Sequence, residues 1–532
     1  MKTLEEQLRD YHPESKEEQQ AKEAFLEKWE ELGDAFFTRT DEGHITASSM
    51  ILNPARNKML MIHHNIYKAF GWTGGHADGE KDLLKKAEEE ACEETGIRKF
   101  YPVDQEILSI DILPVPPHEK HGKSVKAHMH YNVTYGIIAP EKQELRVKPD
   151  ENSAVIWVPL EGWEEKCTEA HMIPIYKKLI ERIEKKMQEK EALYPELPKR
   201  LLPWFLEHKR DLPWRKDRDP YHIWLSEIML QQTRVEAVKG YYARFLEELP
   251  TIKALAEAPE DQILKLWEGL GYYSRVRNLQ KGAKVVMDEF GGSFPKSYQE
   301  IASLPGIGPY TAGAIGSICF NLKTPAVDGN VLRVVSRLTD QYRDILAPDT
   351  KKDMTHLLEE VYPEGEHAYL FNQSMMEIGA TVCVPNGAPK CEVCPLEECC
   401  LARIRNTWSD LPKKEPKKKR KIEEKTVFLL KAGDKTAVEK RGSKGLLAGL
   451  WQLPNTEGTL SAQEALKQAK AWDVHPKELV KEQKGKHIFS HIEWHMTCFE
   501  IICEEESDRF VWADPKKMEE EIALPSAFKV FH

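Results

Sequence analysis

Three groups of side chains in this 532-residue chain have the types and spacing to do chemistry. The first is a set of cysteines. Cys383, Cys391, Cys394 and Cys400 are separated by seven, two and five residues. Four thiolates converging with a C-x2-C inside suit an iron–sulfur cluster or a structural zinc, and the spacing leaves both open. Cys399 beside Cys400 leaves a swap of the last ligand open too. Ten cysteines with five between 383 and 400 are too clustered for a disulfide framework. The second group is a pair of carboxylates. In YHIWLSEIMLQQTRV (221–235), helical spacing puts Glu227 on a face with Ile223, Trp224, Leu230 and Gln231. Desolvation there would raise its pKa, as a general acid needs. Asp328 precedes an apolar helix, where it would act as N-cap while presenting negative charge to a cleft. An acid on a leaving group with an anion near a sugar serves glycosidic cleavage through an oxocarbenium-like state. The third group is Glu90, Glu93 and Glu94, at i, i+3 and i+4 of one helical pattern. Three carboxylates on one face make a divalent-cation site, most suitably for Mg2+.

The elements that must hold these groups fall into modules. Residues 1–192 read as an α/β module. Charge-rich helical spacing runs to residue 34, short strand-like runs and a helix near 82–95 fill 44–160, and a helix spans 170–192. Residues 197–408 are helical with Pro/Gly punctuation. Residues 409–424, SDLPKKEPKKKRKIEE, form a basic linker, read as a solvated tether. Residues 425–532 return to strand-like runs. There, GLWQLPNTEGTLSAQEALKQA (449–469) echoes GWTGGHADGEKDLLKKA (71–87), so two related α/β folds are expected to flank a helical core. In LPGIGPYTAGAI (304–315), Gly306 and Gly308 sit between two helical patterns. They suit a hairpin whose second helix offers free N–H groups to a phosphate. GLGYYSR (269–275) sets aromatics after a glycine turn, where one could wedge into a base stack. The net charge of −11 resides in residues 1–196, and the remainder balances. The first module is therefore a poor binder of phosphate backbone, whereas a near-neutral module can still bind DNA through local basic and N–H groups. No apolar run is long enough to span a bilayer and the N-terminus has no secretory h-region, so the expectation is a cytoplasmic chain with no membrane partner.

Taken in order, RDLPWR (210–215), LSEIMLQQT (225–233), GLGYYSR, LPGIGPYTA (304–312), AVDGNV (326–331), the four cysteines, LAGLWQLP (447–454) and FSH (489–491) resemble a MutY-type adenine DNA glycosylase over residues 197–532. The resemblance implies a helix–hairpin–helix core carrying a 4Fe-4S cluster and a C-terminal Nudix-like domain that recognises 8-oxoguanine. The partner would be double-stranded DNA with adenine opposite 8-oxoguanine or guanine, and the protein a monomer. It implies that Glu227 protonates adenine at N7 and that Asp328 stabilises the sugar cation, with Tyr310 and Asn330 in support. Arg215, Trp214 and Leu230 would shape the adenine pocket, and Gln232 and Tyr272 would fill or wedge the stack. Phe489, Ser490 and His491 would read the lesion. Endonuclease III-type enzymes resemble the helical module but carry a Lys where this chain has Tyr310, so a glycosylase without strong lyase activity is expected. The first cysteine gap is one residue longer than the family pattern, which a loop can absorb.

Residues 74–97 resemble the Nudix box, with Gly75, Glu90, Glu93, Glu94, Gly96 and Ile97 in register. This implies hydrolysis of a nucleoside diphosphate derivative, such as an oxidised dNTP or ADP-ribose. Lys81 stands where the family has Glu, Glu89 where it has Arg, and Ala91 replaces a larger apolar residue. The two charge reversals predict an ion pair with its polarity swapped. The C-terminal module has no such glutamate box and is expected to recognise rather than hydrolyse.

Overall fold

The computed structural model describes residues 3–40, 43–120, 123–415, 420–442, 445–489 and 491–531. The chain forms two compact units. One contains Met1–Pro203, Gly329–Val361 and Ile378–Lys414; the other contains Trp204–Asp328, Tyr362–Glu377 and Glu415–His532. The helical stretch expected as one module over 197–408 thus contributes to both.

In the first unit an eight-stranded sheet is centred on His44–Leu52. That strand runs parallel to His128–Ile138 and antiparallel to Lys58–His64 and Thr73–His76. Alternation sends Ile45 and Ala47 to a core with Phe25, Phe36, Leu83 and Ala87, and Met50 and Leu52 to a core with Tyr176, Leu179 and Ile183. The strand is buried along its whole length because helices cover both faces: Lys16–Leu32 and Leu83–Thr95 on one, Ile173–Glu191 on the other. Asp82 starts Leu83–Thr95 by accepting from the Lys85 N–H, and Gly96, at φ 78°, ends it.

Segments distant in sequence complete this unit through buried charge. Asp104 is 4% exposed and receives Lys186 at 2.7 Å and Arg405 at 3.4 Å. Arg405 also pairs with buried Asp340 at 3.0 Å, and Lys190 donates to the carbonyls of Val103 and Asp340. Burial alone would raise the Asp104 pKa, but Lys186, Lys190 and Arg405 hold it low.

In the second unit, helices Pro220–Leu230, Val235–Glu248, Ser274–Glu289 and Pro309–Phe320 pack around Trp224, Phe245, Trp267 and Ile315. A seven-stranded sheet follows. Its strand Lys421–Ala432 takes the last four residues of the expected linker, because Lys421 already pairs with Ile492.

The two sheets share a connectivity. Lys421–Ala432 lies parallel to Ile492–Cys503, as His44–Leu52 does to His128–Ile138. Asn455–Glu457 pairs with it as Thr73–His76 does with His44–Leu52, and the helix Ala462–Ala471 then follows as Leu83–Thr95 does. The expected echo between 71–87 and 449–469 falls on these equivalent elements. Among the described residues, no helix is long and apolar enough to cross a membrane.

Candidate active site

Pro220–Leu230 is opened by Asp219, whose carboxylate accepts from the N–H groups of Tyr221 and His222, with Pro220 at the first turn. Residues 223–229 are buried without a break, so Glu227 has no wet edge. It is 5% exposed. Burial raises its pKa to about 7. The Tyr310 hydroxyl opposes that rise by donating to Glu227 Oε2 at 2.9 Å, nearby Asp328 adds to it, and Arg215 lowers it. Tyr310 enters on the first turn of Pro309–Phe320. Asp328 is half-buried and immediately precedes Gly329–Leu338. The arrangement offers a carboxyl close to half-protonated at neutral pH, with a second carboxylate near enough to shift it.

Arg215 does not stand alone. Its guanidinium reaches Glu377 Oε2 at 2.7 Å and the Arg210 carbonyl at 3.1 Å, and it lies over the Phe205 ring. Glu377 is fully buried and also receives Arg210 at 2.7 Å. Burial would raise the pKa of Glu377, but the two arginines hold it below the usual range. Trp214 is buried edge-on to Tyr242, and Leu230 ends its helix half-buried. The sequence reading missed Glu377. Its only signal was an acid within the apolar helical run FNQSMMEIGA.

Gln232 and Tyr272 are both exposed and both have left-handed backbones, at φ 59° and 47°, a conformation that costs a non-glycine residue free energy. Arg275 holds the two turns. One guanidinium nitrogen donates to the carbonyls of Ile228 and Gln231, the other to those of Leu270 and Gly271. Burial lowers the Arg275 pKa to about 10. Tyr273, by contrast, belongs to the core. Gly306 has φ 80°, and a Cβ there would come 2.6 Å from the Asn278 Cβ. Gly308 caps Pro309–Phe320, exposed and with open space around it, leaving the helix N-terminus accessible.

Phe489 and His491 form the turn between Pro476–Ile488 and Ile492–Cys503, closed by the Phe489 N–H to the Ile492 carbonyl at 2.8 Å. Phe489 packs against His487 and Trp494, and His491 is exposed. Ser490 lies outside the described residues.

In the first unit, Asn330 accepts from Arg333 at 3.0 Å on the helix Gly329–Leu338. Cys383, Cys391, Cys394 and Cys400 line one pocket together with Arg337. Cys399 does not line it; its thiol faces the Leu396 carbonyl, which favours Cys400 as the fourth ligand. Arg337 donates to Cys383 Sγ at 3.4 Å. Burial pushes Cys394 and Cys400 up to about 12, so only a bound cation would turn them into thiolates at neutral pH. An all-sulfur set beside a guanidinium fits an anionic metal–thiolate centre.

The three glutamates at 90–94 separate. Glu90 and Glu94 are buried and gather with Glu151, their oxygens within 4.8 Å of one another. Glu93 turns outward to Lys148 at 2.9 Å. Glu151 comes from the turn before Asn152–Pro159 and was missed. Glu94 accepts from the Gly74 N–H, and burial raises its pKa to about 8. A side chain on Gly75 would collide with the Glu90 carboxylate. The expected Lys81–Glu89 pair does not form. Lys81 precedes the helix and binds Asp34 at 2.8 Å, while Glu89 faces Lys85 one turn earlier.

Residues 225–364 match the family described as HhH-GPD superfamily base excision DNA repair protein, and residues 426–531 match the NUDIX domain. The chain is 36% identical over 298 residues to the adenine DNA glycosylase of Buchnera aphidicola subsp. Schizaphis graminum, covering 56% of this chain and 84% of that protein. It is 34% identical over 357 residues to the adenine DNA glycosylase of Rattus norvegicus, covering 55% and 67%. A solved thermostable thymine-DNA glycosylase aligns at 29% identity and a TM-score of 0.36, over 41% of this chain and 99% of that one.

Proposed function

Because this chain belongs to the adenine DNA glycosylases, base-excision enzymes that hydrolyse an N-glycosyl bond, we propose that it removes adenine paired with 8-oxoguanine or guanine in double-stranded DNA, using Glu227 as the acid and Asp328 as the anion. The observation that carries this reading is the buried Glu227 carboxyl, raised to about 7 and bound by Tyr310. The base must be turned out of the stack to reach such a group. Glu227 gives its proton to adenine N7, the bond from the sugar to N9 breaks, and the electron pair leaves with the base. Asp328 stabilises the sugar cation until water adds there and loses a proton. Tyr310 has no amine, so no Schiff base forms and the strand stays whole. Arg215, held by Glu377, and Trp214 with Leu230 shape the adenine pocket. Gln232 and Tyr272 occupy the space the base leaves, and Asn330 helps Asp328 in place. The N–H groups after Gly306 and Gly308 hold backbone phosphate. The 489–491 turn reads the opposite base. Cys383, Cys391, Cys394 and Cys400 hold a 4Fe-4S cluster.

Single-turnover cleavage of a duplex with adenine opposite 8-oxoguanine tests this. Adenine is released from that duplex and not from an A·T duplex, with strand breaks mainly after alkali. Glu227→Gln lowers the rate by about 10²–10⁴-fold while still binding DNA. A DNA-binding, cluster-loaded protein that releases no adenine would overturn the reading.

A second activity is favoured by the gathering of Glu90, Glu94 and Glu151. These carboxylates would hold Mg2+ and serve hydrolysis of a nucleoside diphosphate derivative. Mg2+-dependent turnover of 8-oxo-dGTP or ADP-ribose by the full chain, lost in Glu94→Gln, is the expected result. Turnover of neither substrate removes this second activity.

A further inference from the structure

Four histidines outside every role assigned above converge in the first unit. His44 opens the strand His44–Leu52, His76 ends Thr73–His76, and His128 and His130 open His128–Ile138. The ladder explains the convergence. His44 is opposite His130, and His76 is opposite Thr46, two residues along from His44. His128 and His130 are two apart on one strand and so share a face. One ring nitrogen from each histidine lies within 4.8 Å of the others. The His44 ring is 4.9, 5.0 and 5.1 Å from those of His76, His128 and His130.

The nitrogens are also oriented. His44 Nδ1 is 3.3 Å from the Thr40 carbonyl, which requires the proton on Nδ1 and leaves a lone pair on Nε2. His44 is 3% exposed, and its Nε2 is buried without a hydrogen-bond partner among the described residues. A buried acceptor left unsatisfied destabilises the fold unless something binds it. His128 repeats the pattern: Nδ1 faces the Lys126 carbonyl at 2.9 Å, and Nε2 lies 3.1 Å from His130 Nε2. A carbonyl behind one nitrogen and the other nitrogen turned into the cluster is how histidine is set to bind a metal. The 3.1 Å separation is close to the ~3.3 Å edge of a tetrahedron with metal–nitrogen bonds of about 2.0 Å.

We propose that His44, His76, His128 and His130 form a binding site for a divalent first-row transition ion of the zinc type. An all-imidazole set selects such ions over Mg2+, which takes oxygen. The site is separate from the cysteine pocket and from the Glu90, Glu94 and Glu151 group. Its ion would pin three strands at one end of the sheet. Through His76 it would fix the neighbouring Gly74–Gly75 backbone, whose Gly74 N–H holds Glu94.

The test uses the full-length, iron-loaded protein. It is dialysed against EDTA until zinc is removed and iron content is unchanged, then given two equivalents of zinc and desalted. The expected result is one zinc retained per chain, with an X-ray absorption first shell of nitrogen at about 2.0 Å. His128→Gln/His130→Gln would retain at least tenfold less zinc with unchanged iron content and circular dichroism. No retained zinc in the parent, or a sulfur shell at about 2.3 Å, would overturn the proposal. So would undiminished retention by a folded double variant. The absorption shell is read on the parent alone, so the proposal stays decidable if the double variant fails to fold.

Discussion

Glu227 shows how a single carboxyl sets activity and stability against each other. Its pKa is raised to about 7 by burial, so the native state holds the proton more tightly than the unfolded chain. Its stabilising share is complete below the unfolded pKa of about 4.3 and is lost as pH rises through 7. Glu227→Gln should therefore raise Tm at pH 8 and leave it nearly unchanged at pH 4. The gain at pH 8 should be at most about 4 kcal/mol by denaturant titration. Adenine release should fall about tenfold per pH unit above 7, because only the protonated acid works. Tyr310→Phe removes the donor that lowers the Glu227 pKa. Its alkaline limb should therefore move to higher pH, measured as a single-turnover profile; a limb moving to lower pH would contradict the assigned hydrogen bond. The sequence showed Glu227 through its apolar neighbours on one helix. Glu377 was hidden because its meaning lies in Arg210 and Arg215, some 165 positions away (|i−j| of 167 and 162).

At the scale of elements, the two left-handed turns at Gln232 and Tyr272 hang on one guanidinium. Arg275→Leu should leave the helical core intact by circular dichroism. It should slow adenine release by about tenfold or more, since a loosened catalytic geometry costs rate steeply. Unchanged cleavage would show that the turns need no such tie. Gly306→Ala combines positive φ with a 2.6 Å approach to Asn278. It should cost about 1–3 kcal/mol of stability and weaken DNA binding, read by denaturation and by a binding isotherm. Element types were legible because period and punctuation are local: the 82–95 helix and the 304–309 turn fall where the sequence put them. The swapped Lys81–Glu89 pair failed because Lys81 lies outside the helix and meets Asp34 from another segment. Strand pairing at Lys421 was likewise set by a distant partner, Ile492.

Over the whole molecule, one connectivity is used twice with different outcomes. The first copy gathers Glu90, Glu94 and Glu151. In the second, the equivalent helix Ala462–Ala471 has a single glutamate, Glu464, spent on capping with Ser461. The repeat was visible as a weak echo. The division into compact units was not, because each unit joins segments far apart in sequence. Asp104→Ala would take away the buried anion that Lys186 and Arg405 share, leaving Glu106 to both and Asp340 to Arg405. It should cost about 1–3 kcal/mol and promote iron loss on mild heating, followed by absorbance. An unchanged melting curve would mean that this network is dispensable.

Asp104 also sets a condition on how the chain is made. Its partner Arg405 lies 301 positions downstream. At roughly 5–20 residues per second, the ribosome delivers that arginine about 15–60 s after the aspartate. For most of that interval the growing first unit lacks both Arg405 and the Gly329–Val361 segment. The nascent N-terminal module must therefore tolerate an unfinished charged face, exposed to water and to chaperones, until synthesis passes the cysteine pocket.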